Sequence, residues 1–275
     1  MAMLLLLLPG GVSWPGSADE PEPTGSGIIL SLPPEMVSRS GDPVSVLDIN
    51  PLLSLSGAEA GLPHAISLFS LQAGVSSPPR KTGPGFEGIY ILEGSGTLQT
   101  GETRSALSAG DSILIRAGEP LVITAGLDGE LRFLSVVSHQ TTDPGIQSAV
   151  IIRRSGTILP VTLGDPRSTP GASITRIFSP LEESLPLSFD LALVTLPKGG
   201  LIGDHILESG QTAYILSGEG MVTITCIPSR IVPGDLIHIP PGAVQRYEAD
   251  EDLRFLLITD PYYQPDLDHP AASGC

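Results

Sequence analysis

Few residues in this chain are equipped for chemistry, and they gather in one region. The stretch DHILESGQTAYILSGEGMV, residues 204–222, carries His205 and Gln211 ahead of a glycine-containing turn, and Gln245 follows in AVQRYEA. An imidazole can act as a general base, donate a hydrogen bond to a ligand, or stand as a solvated edge residue. Glutamine amides both donate and accept, so two of them beside a histidine suit the orientation of a small neutral ligand in an apolar barrel. Asp204 adjoins His205, but neighbours in a strand point to opposite faces, so Glu208 in the following loop is the better electrostatic partner. None of the five histidines, His64, His139, His205, His238 and His269, belongs to a His-x-His pair. His238 lies three residues beyond Asp235, and its facing depends on strand register.

The elements that must position these groups are short strands. The chain has 275 residues with 32 Gly, 27 Pro and only 4% aromatic residues. Many short apolar runs separated by turn residues predict an all-β protein, and no helical period is sustained beyond about two turns. Fourteen Lys+Arg against 30 Asp+Glu give a net charge of −16. That charge repels phosphate backbones and anionic membranes, which excludes nucleic-acid partners and favours solubility as its simple meaning.

An internal duplication organises the chain. IYILEGSGTLQTG (89–101) matches AYILSGEGMVTIT (213–225), and LSAGDSILIRAGEPL (107–121) matches IVPGDLIHIPPGAVQ (231–245). Tyr90 and Tyr214, Gly110 and Gly234, and Gly118 and Gly242 each stand 124 residues apart. Further on, ELRFLSVVS (130–138) matches DLRFLLITD (252–260) with the offset shortened to 122. Each copy reads as short antiparallel strands with prolines confined to strand ends, the pattern of a jelly-roll barrel with an interior cavity.

The N-terminus has a different character. Residues 1–26 hold a short leucine run, small residues around Gly16, Ser17 and Ala18, and an acidic Pro/Gly-rich stretch, without an early basic residue. This is the outline of a secretory signal peptide and a flexible segment, which predicts a secreted or extracytoplasmic protein. The run is too short to span a bilayer. Cys226 falls inside a strand-like run and Cys275 is the last residue, so no disulfide framework is legible.

YILSGEG together with PGDLIHIPPGAVQ resembles the two motifs of the cupin superfamily, and the duplication makes the chain resemble a bicupin. The resemblance implies two tandem jelly-roll (cupin) barrels. The expected division is 1–26 leader, 27–140 first barrel, 141–172 connection, 173–264 second barrel and 265–275 tail. Gly218, Gly234, Pro240 and Gly242 hold the scaffold positions of the motifs. Cupin metal sites have three histidines and a glutamate. By the same resemblance His205 takes the first histidine place, Leu207 the second, Gln211 the glutamate and Gln245 the last histidine. In the first copy Glu87 keeps the carboxylate, Leu121 replaces the last histidine, and Arg80 and Lys81 fall at the first, where a salt bridge at the barrel rim is expected.

The second half, through LSFDLALVTLPKGG (187–200) and Gln245, is also similar to the ureidoglycine aminohydrolases, manganese enzymes that use a glutamine ligand at that place. Two neutral amides and one imidazole hold a divalent cation weakly, so no cofactor is expected. Any metal would be Mn, Fe or Zn on His205, Gln211 and Gln245 of the second barrel. The expected ligand site comprises His205, Gln211, Gln245, Tyr214 and Glu87, serving a small polar or sugar-like molecule without catalysis. A metal-dependent hydrolase or isomerase is the alternative, and a structural bicupin that homodimerises through its outer sheets is a third.

Overall fold

The computed structural model describes residues 27–32, 42–48, 64–81, 85–116, 118–138, 150–163, 167–183 and 187–271. The expected leader, residues 1–26, lies outside them. Among the described residues nearly every element is a strand, the exceptions being one helical turn, α1 (Pro180–Glu183), and a 3-10 turn (Pro265–Leu267). No helix among them is long and apolar enough to cross a membrane.

Two barrels, each of two antiparallel sheets, account for the strands. The large sheet of the first runs β11 (Val150–Arg153), β8 (Ser112–Arg116), β5 (Phe86–Glu93), β10 (Leu131–Ser138), β3 (His64–Leu71) and β2 (Val44–Asp48). Its small sheet runs β4 (Arg80–Lys81), β9 (Pro120–Ala125), β6 (Ser95–Thr100) and β7 (Thr103–Ser108). In the second barrel the large sheet runs β1 (Ile28–Ser31), β19 (Asp235–Ile239), β16 (Gly210–Ser217), β21 (Leu253–Asp260), β14 (Asp190–Leu196), β13 (Ser173–Phe178) and β12 (Val161–Thr162). The opposing sheet runs β18 (Ile227–Ile231), β17 (Gly220–Ile224), β20 (Val244–Ala249), β15 (Leu201–Leu207) and β22 (Asp268–Pro270).

The ladders repeat as the sequence does. Glu87 pairs with Ile115 and Val137, and Gln211 with Ile239 and Thr259. Gly94 and Gly218 both turn with positive φ, where a Cβ would strike the carbonyl oxygens of Glu130 and Asp252 respectively. Only glycine satisfies the backbone and the close approach together.

Three points correct the linear division. β1, counted with the first barrel, pairs with β19 and closes the large sheet of the second. β11 and β12, counted as connection, are the edge strands of the two large sheets. β22, counted as tail, extends the second barrel along β15. Cys226 also differs from expectation: with Thr225 it forms the two-residue turn between β17 and β18, both at positive φ. Its thiol is not free.

Strand alternation sends side chains into three separate cores. Ile89, Ile91, Leu98, Ile113 and Phe133 fill the first barrel, where Phe69 and Phe133 stack at 4.6 Å. Ala213, Ile215, Ile237, Val222 and Phe255 fill the second. The third lies between the barrels, where the outer faces of the two large sheets meet through Leu68, Tyr90, Leu134, Phe189, Tyr214 and Leu256. Polar groups cross this interface as well. His64 Nδ1 lies 3.2 Å from Asp260 Oδ2, and Ser138 and Ser188 bond at 2.9 Å.

Candidate functional site

The second barrel holds a partly open cavity of about 300 Å3. The β15–β20 ladder shifts between Ile202 and His205, and Ile202, Gly203, His205 and Leu207 of β15 line the wall with Gln211 of β16, while Asp204 does not. β20 crosses β15 with His205 directly opposite Gln245, and residues opposite one another share a face of the sheet. Gln245 and Tyr247 therefore point inward, and both are buried. Tyr247 stacks on Phe255 at 4.9 Å, which gives the cavity one flat aromatic side. Leu163, Ile174, Val194, Ile202 and Leu257 complete an apolar surround.

The polar atoms at this end have definite roles. His205 Nδ1 lies 2.8 Å from the Gly203 carbonyl oxygen. A carbonyl only accepts, so Nδ1 carries the hydrogen, and Nε2 of the neutral ring is an acceptor. Burial raises the Tyr247 phenol well above its ordinary value, so it stays protonated. Gln245 Oε1 and the Tyr247 hydroxyl are buried with no hydrogen-bond partner among the described residues.

Charged groups gather at the other end. Arg167 Nη1 lies 3.2 Å from Asp268 Oδ1, and the Tyr263 hydroxyl donates to Asp268 Oδ2 at 3.3 Å. The backbone N–H of Tyr263 donates to Asp190 Oδ2 at 2.5 Å, and the Arg176 guanidinium sits 5.8 Å from the Tyr263 ring centre. Burial, then the neighbouring Asp268 carboxylate, raise the Tyr263 phenol.

Of the expected site residues, His205 and Gln211 line this cavity, Gln245 lies buried opposite His205 on the same sheet without lining it, and Tyr214 and Glu87 lie elsewhere. Tyr214 lies on the even face of β16 and packs into the core between the barrels. Glu87 belongs to the first barrel and is fully buried, accepting from Arg80 Nη1 at 2.6 Å and from Ser135 Oγ at 2.7 Å. The expected rim salt bridge is thus an interior one. β4 pairs Arg80 with Leu121, the same register that sets His205 opposite Gln245, and the guanidinium lies over Phe69 at 4.9 Å. Arg80 occupies in the first barrel the place of His205 in the second.

His64, His238 and His269 settle elsewhere, and His139 lies outside the described residues. His238 faces the interface between barrels, with Thr212 Oγ1 at 3.3 Å from its Nδ1. Burial first and the charge of His64 second lower its pKa from 6.5 to about 4, against a hydrogen bond that its ring donates to the Gln211 backbone, which raises it. Glu208 turns outward to His269 at 3.0 Å rather than inward to His205. Tyr247 was legible in principle, standing two residues after Gln245 on the same strand face. Arg167, Arg176, Asp190, Tyr263 and Asp268 carry no local signal, because three distant segments bring them together.

The cupin domain model matches residues 67–137 and 192–259, one segment in each barrel. The chain belongs to the cupin family. No curated protein sequence matches the chain significantly. Among solved structures, this cupin is similar to a Pseudomonas aeruginosa protein provisionally assigned as glyoxylate-induced, at 17% identity over 90% of this chain and 93% of that one, with TM-score 0.71. It is also similar to protein Ylba from E. coli, at 14% identity over 86% and 91% with TM-score 0.67. The Lactobacillus farciminis oxalate decarboxylase in its formate complex aligns at 16% identity over 80% and 82%, with TM-score 0.60. At these identities the likeness shows the fold: a tandem, two-barrel cupin.

Cupins often bind metals, and the residues here fit one poorly. The ligand positions counted from the motifs hold one imidazole, two uncharged amides and the Leu207 side chain, a set with a single good donor. Among the described residues no three of His, Cys, Asp and Glu come close enough to hold an ion. In the first barrel the Arg80 guanidinium already lies on the one carboxylate, and its charge opposes a second cation.

Proposed function

We propose that this cupin binds a small polar molecule in its second barrel through His205, Gln211, Gln245 and Tyr247, without chemical conversion. The observation that carries this reading is the buried Tyr247 hydroxyl on the cavity wall, which has no hydrogen-bond partner among the described residues, with the equally unpartnered Gln245 Oε1 two residues before it on the same strand face. A buried polar group left unpaired costs about 1–3 kcal/mol, so a ligand that satisfies the hydroxyl gains what the empty fold forgoes. Asymmetry between the barrels supports the same assignment. In the first barrel Arg80 pairs with Glu87 and lies over Phe69, whereas in the second His205 lines the cavity.

A hydrolase or isomerase would need an electrophile or a second acid–base group poised against His205. Among the described residues the carboxylates nearest the cavity are engaged with Arg167, Tyr263 and the Tyr263 N–H. The test is a thermal-shift screen of the purified protein against a broad metabolite library, repeated with His205→Ala. Stabilisation by one chemical class that His205→Ala abolishes supports binding. Turnover of any hit, followed by mass spectrometry, overturns the non-catalytic part.

A further inference from the structure

We infer that Cys226 is joined to Cys275 by a disulfide, and that this bond straps the last residues across the second barrel and braces the charged end of its cavity. Counting identifies the pair. The Cys226 sulfur is engaged in a disulfide, and the chain has two cysteines. Residues 272–275 lie outside the described ones, but the distance they must cover is fixed by strand register. Ile224 stands opposite Gln245, Gln245 opposite His205 and His205 opposite Pro270, in one row across β17, β20, β15 and β22. Neighbouring strands about 4.8 Å apart place Pro270 at most about 14 Å from Ile224 along that row. Cys226 follows two residues on, about 7 Å further at full extension. The stretch from Pro270 to Cys275 extends to about 17 Å, and a disulfide adds about 5.5 Å between Cα atoms. Even laid end to end the two legs fall within that span, with little slack.

The turn agrees with a bond made from outside it. Thr225 and Cys226 sit at φ 47° and 65°. A two-residue hairpin with both central residues in this region favours Asn-Gly, so Thr-Cys is held there by more than local preference. The bond also braces an element with slight contacts of its own. β22 meets the barrel through three residue pairs with β15. Its Asp268 nevertheless holds Arg167 at 3.2 Å and accepts from the Tyr263 hydroxyl at 3.3 Å, and all three line the cavity. The loop that the disulfide closes carries Tyr247, Phe255, Tyr263 and Asp268 of that lining. The S–S bond forms by thiol–disulfide exchange: two thiols lose two electrons and two protons to an external disulfide, which leaves as two thiols. Exchange with a dithiol reverses it, so the brace is closed in an oxidising compartment and open in a reducing one.

The experiment is tryptic mapping of protein equilibrated with glutathione disulfide and alkylated, joined to thermal unfolding with and without dithiothreitol, in wild type and Cys275→Ser. Trypsin cuts after Lys198, Arg230 and Arg254, so the expected product is peptide 199–230 linked to peptide 255–275 of the same chain. Dithiothreitol should separate the two, lower the wild-type midpoint by about 5–10 °C and leave that of Cys275→Ser unmoved. Amide exchange in residues 261–271 should quicken in reduced wild type to the rate seen in Cys275→Ser. Two alkylated thiols overturn the pairing, as does a link between two chains in a dimer that dithiothreitol dissolves. A linked pair whose reduction moves neither the midpoint nor the exchange of residues 261–271 overturns the strap.

Discussion

Acidification should weaken this protein through His238, and the size of the effect follows from where that ring sits. It is buried at the barrel interface opposite Thr212, near His64, which itself lies 3.2 Å from Asp260 across the interface. Its pKa falls from 6.5 to about 4. Between those values the unfolded chain binds a proton that the folded chain refuses, so stability rises with pH across the window and is lost as pH falls from 6.5 toward 4. One pKa unit corresponds to about 1.36 kcal/mol, so the full window is worth about 3 kcal/mol, and about 2.5 kcal/mol is already lost at pH ~4.5. His238→Gln keeps a neutral polar side chain and removes the titration. Urea unfolding of both proteins at neutral pH and at pH ~4.5 isolates the residue, because carboxylates titrate alike in both. Wild type should lose about 2.5 kcal/mol more than the variant. An equal loss in the two proteins would refute the depressed pKa and the burial that causes it.

Arg80→Ala should cost about 3 kcal/mol or more in urea unfolding, because it strands the fully buried Glu87 carboxylate. Adding Glu87→Gln to that background should recover part of the loss, and a further loss would contradict the interior ion pair. Leu207→His combined with Gln211→Glu should supply the donors a divalent ion needs, so metal analysis after growth with Mn or Zn should show bound ion in the double variant and much less in wild type. Gly218→Ala should cost about 2 kcal/mol or more, since its Cβ would meet the Asp252 carbonyl at 2.3 Å and the backbone is at φ 79°. The export reading of residues 1–26 predicts that N-terminal sequencing of protein produced with its native leader finds a start near Ala18.

The duplicated motifs alone determined the two-barrel fold and the strand ladders. Glycines 124 residues apart mark turns that only glycine can make, and the alternation between them states which residues point inward. That His205, Gln211 and Gln245 are buried within the second barrel was legible for the same reason, since each sits at a fixed count from such a glycine. Tertiary structure alone decided which alternating face meets which surroundings. A large sheet here has two buried faces, one toward its own barrel and one toward the other, and period-2 patterning cannot tell them apart. That ambiguity is why Tyr214 and His238 could not be placed from sequence and why both turned out to face the interface. It is also why Arg80, polar and beside a Pro-rich turn, reads as surface yet lies against Glu87 inside the first barrel. β1, β11 and β22 carry no mark of their partners, because edge pairing depends on which ladder is left open once both barrels have closed. The cavity belongs to this second category: its polar end comes from one repeat's register, and its charged end from segments that only the fold brings together.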